Sequence, residues 1–85
     1  FGLVNEVVPH GKLYDEAYRL ARVIAEKSPL AVAACLDSVT RGINVPIDEG
    51  LALEASHFAR MVPTKDIEEG ISAWLDGRLP QFTGT

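Results

Sequence analysis

Glu68 and Glu69 form the carboxylate pair nearest to an acid–base arrangement in this sequence, and Glu54 with His57 is the nearest approach to a metal-ligand pair. Neither spacing completes a site. Adjacent residues on a helix point about 100° apart. Glu68 and Glu69 therefore cannot flank one reacting bond, as paired carboxylates must, and their simpler role is to complement a helix N-terminus. Glu54 and His57 are three apart and can meet on one helical face. A metal would need a third ligand, and His10 is the only other histidine, so a surface pair is the reading. Cys35 stands alone in an apolar helical pattern with no Lys, Arg or His beside it, which predicts a buried structural thiol. Ser28 precedes a proline and reads as a helix cap, and no Ser–His–Asp set can be drawn around it. The glycines are scattered and make no phosphate-cradling loop. Trp74 lies on an apolar stripe and reads most simply as core. The residues by themselves supply no catalytic group and no metal site.

The elements that must position these residues are mostly helical. Residues 2–8, GLVNEVV, read as a short strand rich in valine, ended by Pro9 and Gly11. No second strand-like run follows. Its hydrogen-bonding partners must then lie elsewhere, or the segment runs as an extended arm. Leu13, Ala17, Leu20, Ala21 and Ile24 recur at helical spacing and predict a helix over 13–27, with Asp15 and Arg19 four apart as a favourable pair. Ser28 as N-cap and Pro29 at the first helical position start a second helix, and Gly42 is the expected stop. Its run from Leu30 to Leu36 is almost wholly apolar, which predicts burial on most sides and a covering layer from another domain or subunit. A third helix over 47–61 carries Leu51, Ala55 and Phe58 as its stripe, continued by Val62, and Pro63 ends it. Thr64 caps a fourth, in which Ile67, Ile71, Trp74 and Leu75 share a face and Gly77 is the stop. Gly70 interrupts that helix at a cost near 1 kcal/mol. Either the weakness is tolerated or another backbone approaches closely there.

Size and charge narrow the function classes. A chain of 85 residues is one domain at most, and marginal on its own. With 47% hydrophobic and 24% charged residues it is globular rather than disordered. A net charge of −4 offers no footprint for nucleic acid. No apolar run is long enough to span a bilayer, so no membrane partner is expected. A single cysteine suits the cytosol. The chain opens on Phe1 with its first element under way by Leu3, which leads to the expectation of a piece of something longer.

In order along the chain, GLVNEVVP, KSPLAVAA, DEGLALEASHF and TKDIEEGISAWLDGRLPQFTG resemble the C-terminal third of the enoyl-CoA hydratase/isomerase (crotonase) superfamily. The most specific part is the run of Thr64, Asp66, Glu69, Gly70, Ala73 and Trp74, followed by Arg78, Pro80 and Phe82. The resemblance implies a mainly α fold of about four helices after a short strand or extended arm. Residues 1–85 would be a single C-terminal helical domain, and residues 1–10 the end of an N-terminal core of ββα units. That region would serve trimerisation, with trimers or hexamers as the assembly. The family acts on acyl-CoA thioesters through a backbone oxyanion hole and acidic groups of the core, none of which maps onto these residues. No cofactor beyond the acyl-CoA substrate is implied. An aromatic residue at the Trp74 position borders the CoA pocket. The family pattern has Lys just before Arg78, on a CoA phosphate, and often at position 36. Here Gly77 and Leu36 stand there, and both departures remove positive charge. Arg78 is then expected either on a phosphate or in an ion pair with Glu68 or Glu69 of a neighbour. The residues without the resemblance also describe a self-standing helical oligomerisation or adaptor module without enzymatic activity.

Overall fold

The computed structural model describes residues 2–85; Phe1, at the head of the expected core remnant over 1–10, lies outside the described residues. After an extended arm and a 3₁₀ turn at His10–Lys12, the chain forms four helices: α1 (Leu13–Ala25), α2 (Pro29–Gly42), α3 (Ile47–Met61) and α4 (Lys65–Asp76). No strand occurs among the described residues, so GLVNEVV is the arm rather than the strand. A strand needs a partner for its backbone donors and acceptors, and the described residues offer none. The arm passes close enough to α1 for Glu6 to come within 4.0 Å of Arg19. Arg19 takes its main partner from Glu16, at 2.9 Å, rather than from the expected Asp15.

Local capping chemistry sets the starts of α2 and α4 and the end of α4. The Ser28 hydroxyl accepts the Ala31 N–H at 3.4 Å and Pro29 follows at the first helical position. Thr64 Oγ1 accepts the Ile67 N–H at 3.2 Å while donating to the Met61 carbonyl at 2.6 Å. Gly77 has φ 67°, and the Arg78 and Gly77 N–H groups reach back to the Ala73 and Trp74 carbonyls at 3.0 and 3.3 Å. That pair of bonds is a Schellman motif, which only a residue at ease in the left-handed region closes without strain.

Gly42 does not behave as expected. It is the last helical residue of α2, not a left-handed stop. The helix ends instead where Asn44 turns its side-chain amide onto the Thr40 carbonyl at 3.0 Å. Gly42 has a packing role: a Cβ on Gly50 would lie 3.4 Å from the Gly42 carbonyl oxygen, so the two glycines mark the close approach of α2 and α3. These are the two helices that pack along each other. The half-buried residues of α3 are Gly50, Leu53, His57 and Met61, spaced three and four apart. The expected stripe of Leu51, Ala55, Phe58 and Val62 is exposed. The face of α3 that carries Gly50, rather than the bulkier stripe, takes the neighbour.

The molecule is a plate, 44 × 39 × 19 Å, with a radius of gyration of 16.1 Å. A compact domain of this length has a radius near 12 Å. Ala73 is the one fully buried hydrophobic residue among those described. The apolar run of α2 is at most half-buried, and Cys35 within it is exposed rather than a buried structural thiol. No layer within the described residues covers that face. Among the described residues no helix is long and apolar enough to cross a membrane.

Candidate functional site

Helix α4 and the eight or so residues after it form the most organised part of the molecule. The Schellman turn at Gly77 sends the chain back along α4 as a strap. Its first anchor is Glu69, whose two carboxylate oxygens take the Arg78 guanidinium at 2.5 and 3.2 Å. The same carboxylate accepts the Gln81 N–H at 2.9 Å. One helical turn earlier, Asp66 takes the Thr83 N–H at 2.8 Å and the Gly84 N–H at 3.0 Å. The Lys65 N–H, free at the helix start, is met by the Thr85 carbonyl at 3.0 Å. Strap and helix are therefore stitched at three points over about one turn. Between the carboxylate anchors the Phe82 ring lies over Gly70, 3.5 Å from where a Cβ would stand.

Asp66 also ties this unit to α2. It is 2% exposed, and the Ser28 hydroxyl donates to its Oδ2 at 2.6 Å. Ser28 is the expected cap and, in addition, the link between two helices 38 residues apart in sequence. Gly84, with φ 76°, seats its Cα against Pro29 at the start of α2, where a Cβ would come within 3.2 Å of the proline ring.

Electrostatics follow from these contacts. The Arg78 guanidinium, with help from the Gln81 N–H, holds the Glu69 carboxyl down at about 2. The Ser28 hydroxyl, then the Thr83 and Gly84 amides, hold Asp66 below the usual carboxylate range against the opposing effect of burial. Both are ionised and engaged at neutral pH. A general acid or base needs a pKa near the working pH, so neither is suited to proton transfer.

The remaining candidate residues do not converge. His57 turns its Nε2 to Asp37 of α2 at 2.6 Å, not to Glu54 as the sequence spacing suggests. Asp37 also takes Arg41 at 3.0 Å, and the His57 contact leads in holding its carboxyl low. His10 sits in the turn before α1. No cluster of three or more His, Cys, Asp or Glu side chains arranged to hold a metal occurs among the described residues. Glu68 is exposed, whereas Glu69 is the strap's anchor. Arg78 pairs with Glu69 of its own chain, not of a neighbour, because the Gly77 turn folds it back over the helix. A guanidinium already held by two oxygens has little left to offer a phosphate.

Trp74 is 80% exposed rather than core. It lines an open groove of about 710 Å³ between α4 and the α2–α3 pair, with Cys35, Phe58, Met61, Ile67 and Phe82 among its walls. The groove is mostly apolar, and among the described residues no hydrogen bond joins its Cys35 or Ser38 to His57, which is turned to Asp37. It is open enough to bind a ligand or be covered. Sequence reasoning did not find Asp66, Phe82 or Asp37 in these roles. Asp66 carries no local signal, because its partners lie 17, 18 and 38 residues away.

Comparison with known proteins places this architecture. The family model described as enoyl-CoA hydratase/isomerase matches residues 1–85, the whole chain. "Enoyl-CoA hydratase domain-containing protein 2, mitochondrial" of Bos taurus is 38% identical over 87 residues, which cover 98% of this chain and 29% of that protein. The 2,3-dehydroadipyl-CoA hydratase of Escherichia coli K12 is 39% identical over 83 residues, covering 98% of this chain and 32% of that protein. Among solved structures, the enoyl-CoA hydratase from Bacillus anthracis superposes with a TM-score of 0.96 at 34% identity, over 99% of this chain and 33% of that one. The chain spans about a third of the length of the relatives it matches.

Proposed function

Since this chain belongs to the enoyl-CoA hydratase/isomerase family, we propose that it is the C-terminal helical region of an enzyme acting on acyl-CoA thioesters, serving assembly and cover of the active site rather than the chemical step. The observation that carries this reading is surface area. The chain exposes 7249 Å². A compact monomer of this mass exposes about 4,900 Å². Large apolar side chains stand in the open along the chain: Leu3 and Val7 on the arm, Leu13 and Ile24 on α1, Leu36 and Val39 on α2, Leu51 and Phe58 on α3, Ile71 and Leu75 on α4. An excess of about 2,300 Å² is more than one partner's share of a standard protein interface, about 800 Å². A core below and neighbouring subunits beside, as in a trimer or hexamer, would use such surfaces together.

Trp74 is the residue we assign to the border of the CoA pocket. Its exposure and its position on the groove support this. Gly77 supplies no lysine for a phosphate, and Arg78 is engaged by Glu69. Contact with CoA through this region then rests on apolar packing. The chain alone is expected to be inactive.

The test is a chimera. The matching third of the E. coli relative is replaced by these 85 residues, and hydration of its acyl-CoA substrate is measured beside the isolated chain. The reading expects an active, oligomeric chimera and an inactive isolated chain. Measurable hydration by the isolated chain would overturn it. A soluble, folded, monomeric chimera without activity would favour an adaptor module instead.

A further inference from the structure

Phe82 is held from both sides. The amide before it, Gln81 N–H, is bonded to Glu69, and the amide after it, Thr83 N–H, is bonded to Asp66. The two carboxylates are three residues apart on one face of α4. The ring between them rests on Gly70, the single position in that stretch without a side chain, and forms a wall of the groove that Trp74 also lines. Of the two anchors, Glu69 is partly exposed and Asp66 is buried. Asp66 faces donors only: the Ser28 hydroxyl, the Thr83 amide and hydroxyl, and the Gly84 amide. A carboxylate accepts all of these. An amide in its place would turn an N–H toward at least one of them.

We propose that Asp66 is a positioning residue for the groove: by latching the strap and the start of α2 onto α4 it seats Phe82 on Gly70 beside Trp74, and so shapes the wall against which the acyl-CoA ligand packs. The effect on substrate rests on the functional reading above; the seating of Phe82 does not. Asp66 touches no substrate in this scheme. It acts through Phe82, as a fixed acceptor rather than an acid or base.

The test uses the protein that carries these residues and the variants Asp66→Asn, Phe82→Ala and the double. Hydrogen exchange at the Thr83 and Gly84 amides should accelerate at least about tenfold in Asp66→Asn and little in Phe82→Ala. The nuclear Overhauser contact between the Phe82 ring and the Gly70 α-protons should disappear in Asp66→Asn. KM for the acyl-CoA should rise about three- to tenfold in either single variant with kcat within about twofold, and the double should exceed neither by much. Gly84→Ala strains the same attachment without touching a charge, and is expected to loosen the Phe82 contact if Asp66→Asn does not fold. A retained ring contact in both Asp66→Asn and Gly84→Ala overturns the proposal. So does a fall in kcat with KM unchanged, the mark of a smaller folded fraction. A wild-type protein with no turnover of acyl-CoA would defeat the functional reading, and the exchange and ring contacts would still decide the latch.

Discussion

Replacing Gly70 with alanine separates two accounts of the α4 face. The sequence leaves open that another backbone approaches Gly70 closely. In the structure the neighbour is the chain's own Phe82 ring, and a Cβ at position 70 would stand 3.5 Å from Cε1 and 3.7 Å from Cζ. Those are ordinary van der Waals distances, each contact worth about 0.1–0.2 kcal/mol. Gly70 lies inside a regular helix at a negative φ, where alanine is favoured by about 0.8–1.0 kcal/mol. The sum is a stabilisation of α4 of about 1 kcal/mol, since the entropy lost on ordering a glycine is no longer spent. Read as local opening by hydrogen exchange, that is about a fivefold slowing of the α4 amides. The measurement is exchange of Ile71 to Leu75 in Gly70→Ala against wild type, in the protein that carries these residues. Slower exchange supports the ring as sole neighbour. Faster exchange refutes the reasoning, because only a second backbone pressed against α4 would make a single methyl group costly there.

Other outcomes follow from the same geometry. Gly77→Ala should destabilise the end of α4 by about 1–2 kcal/mol, because φ 67° puts a Cβ against the carbonyl although nothing else lies within 4 Å; Gly77→Asn should lose less, and circular dichroism melts compare the two. Gly50→Leu should separate α2 from α3 at a cost of about 1–3 kcal/mol, since even a Cβ there touches the Gly42 backbone; urea unfolding reads the shift in midpoint. Glu69 has its folded pKa lowered from 4.5 to about 2, so the stability it lends is full above pH 4.5 and is lost as pH falls toward 2. Glu69→Gln should flatten the pH dependence of strap protection in that window and leave it unchanged in form near neutrality, as followed by exchange at Gln81.

The legible parts of this molecule are those whose cause lies within four or five residues. Ser28 before Pro29, Thr64 before an acidic first turn, and Gly77 after a periodic run each mark a helix end, and each end occurs where it is marked. Gly42 carries the same mark and misleads, because its glycine answers to Gly50 on the next helix rather than to its own terminus. Asp66 looks like one more acidic residue complementing the dipole of α4. Its actual partners arrive from the cap of another helix and from a tail that returns only because Gly77 turns it. The pairing of His57 is hidden in the same way, since Asp37 is brought to it by the packing of α2 on α3 and not by spacing. The arm at 2–8 has valines suited to a strand, but propensity supplies no partner.

The polar and apolar interactions of the chain are completed to different extents. Among the described residues no buried side-chain nitrogen or oxygen lacks a hydrogen-bond partner. Caps, strap and latch meet one another's needs within these residues. The apolar groups are not so served: the face of α4 that carries Ile71, Trp74 and Leu75, and the outward stripe of α3, end in the open. Hydrogen bonds contribute little net stability but are costly when left unmade, whereas apolar burial is the main driving force of folding. The polar network therefore specifies the conformation, and under the proposed role surfaces that meet these faces would add the driving force. An α4 hydrogen-bonded at both ends within the chain would present its apolar face at lower entropic cost on docking than a frayed helix would. The role proposed above, in assembly and cover, would draw on the Asp66 latch and the exposed Trp74 together.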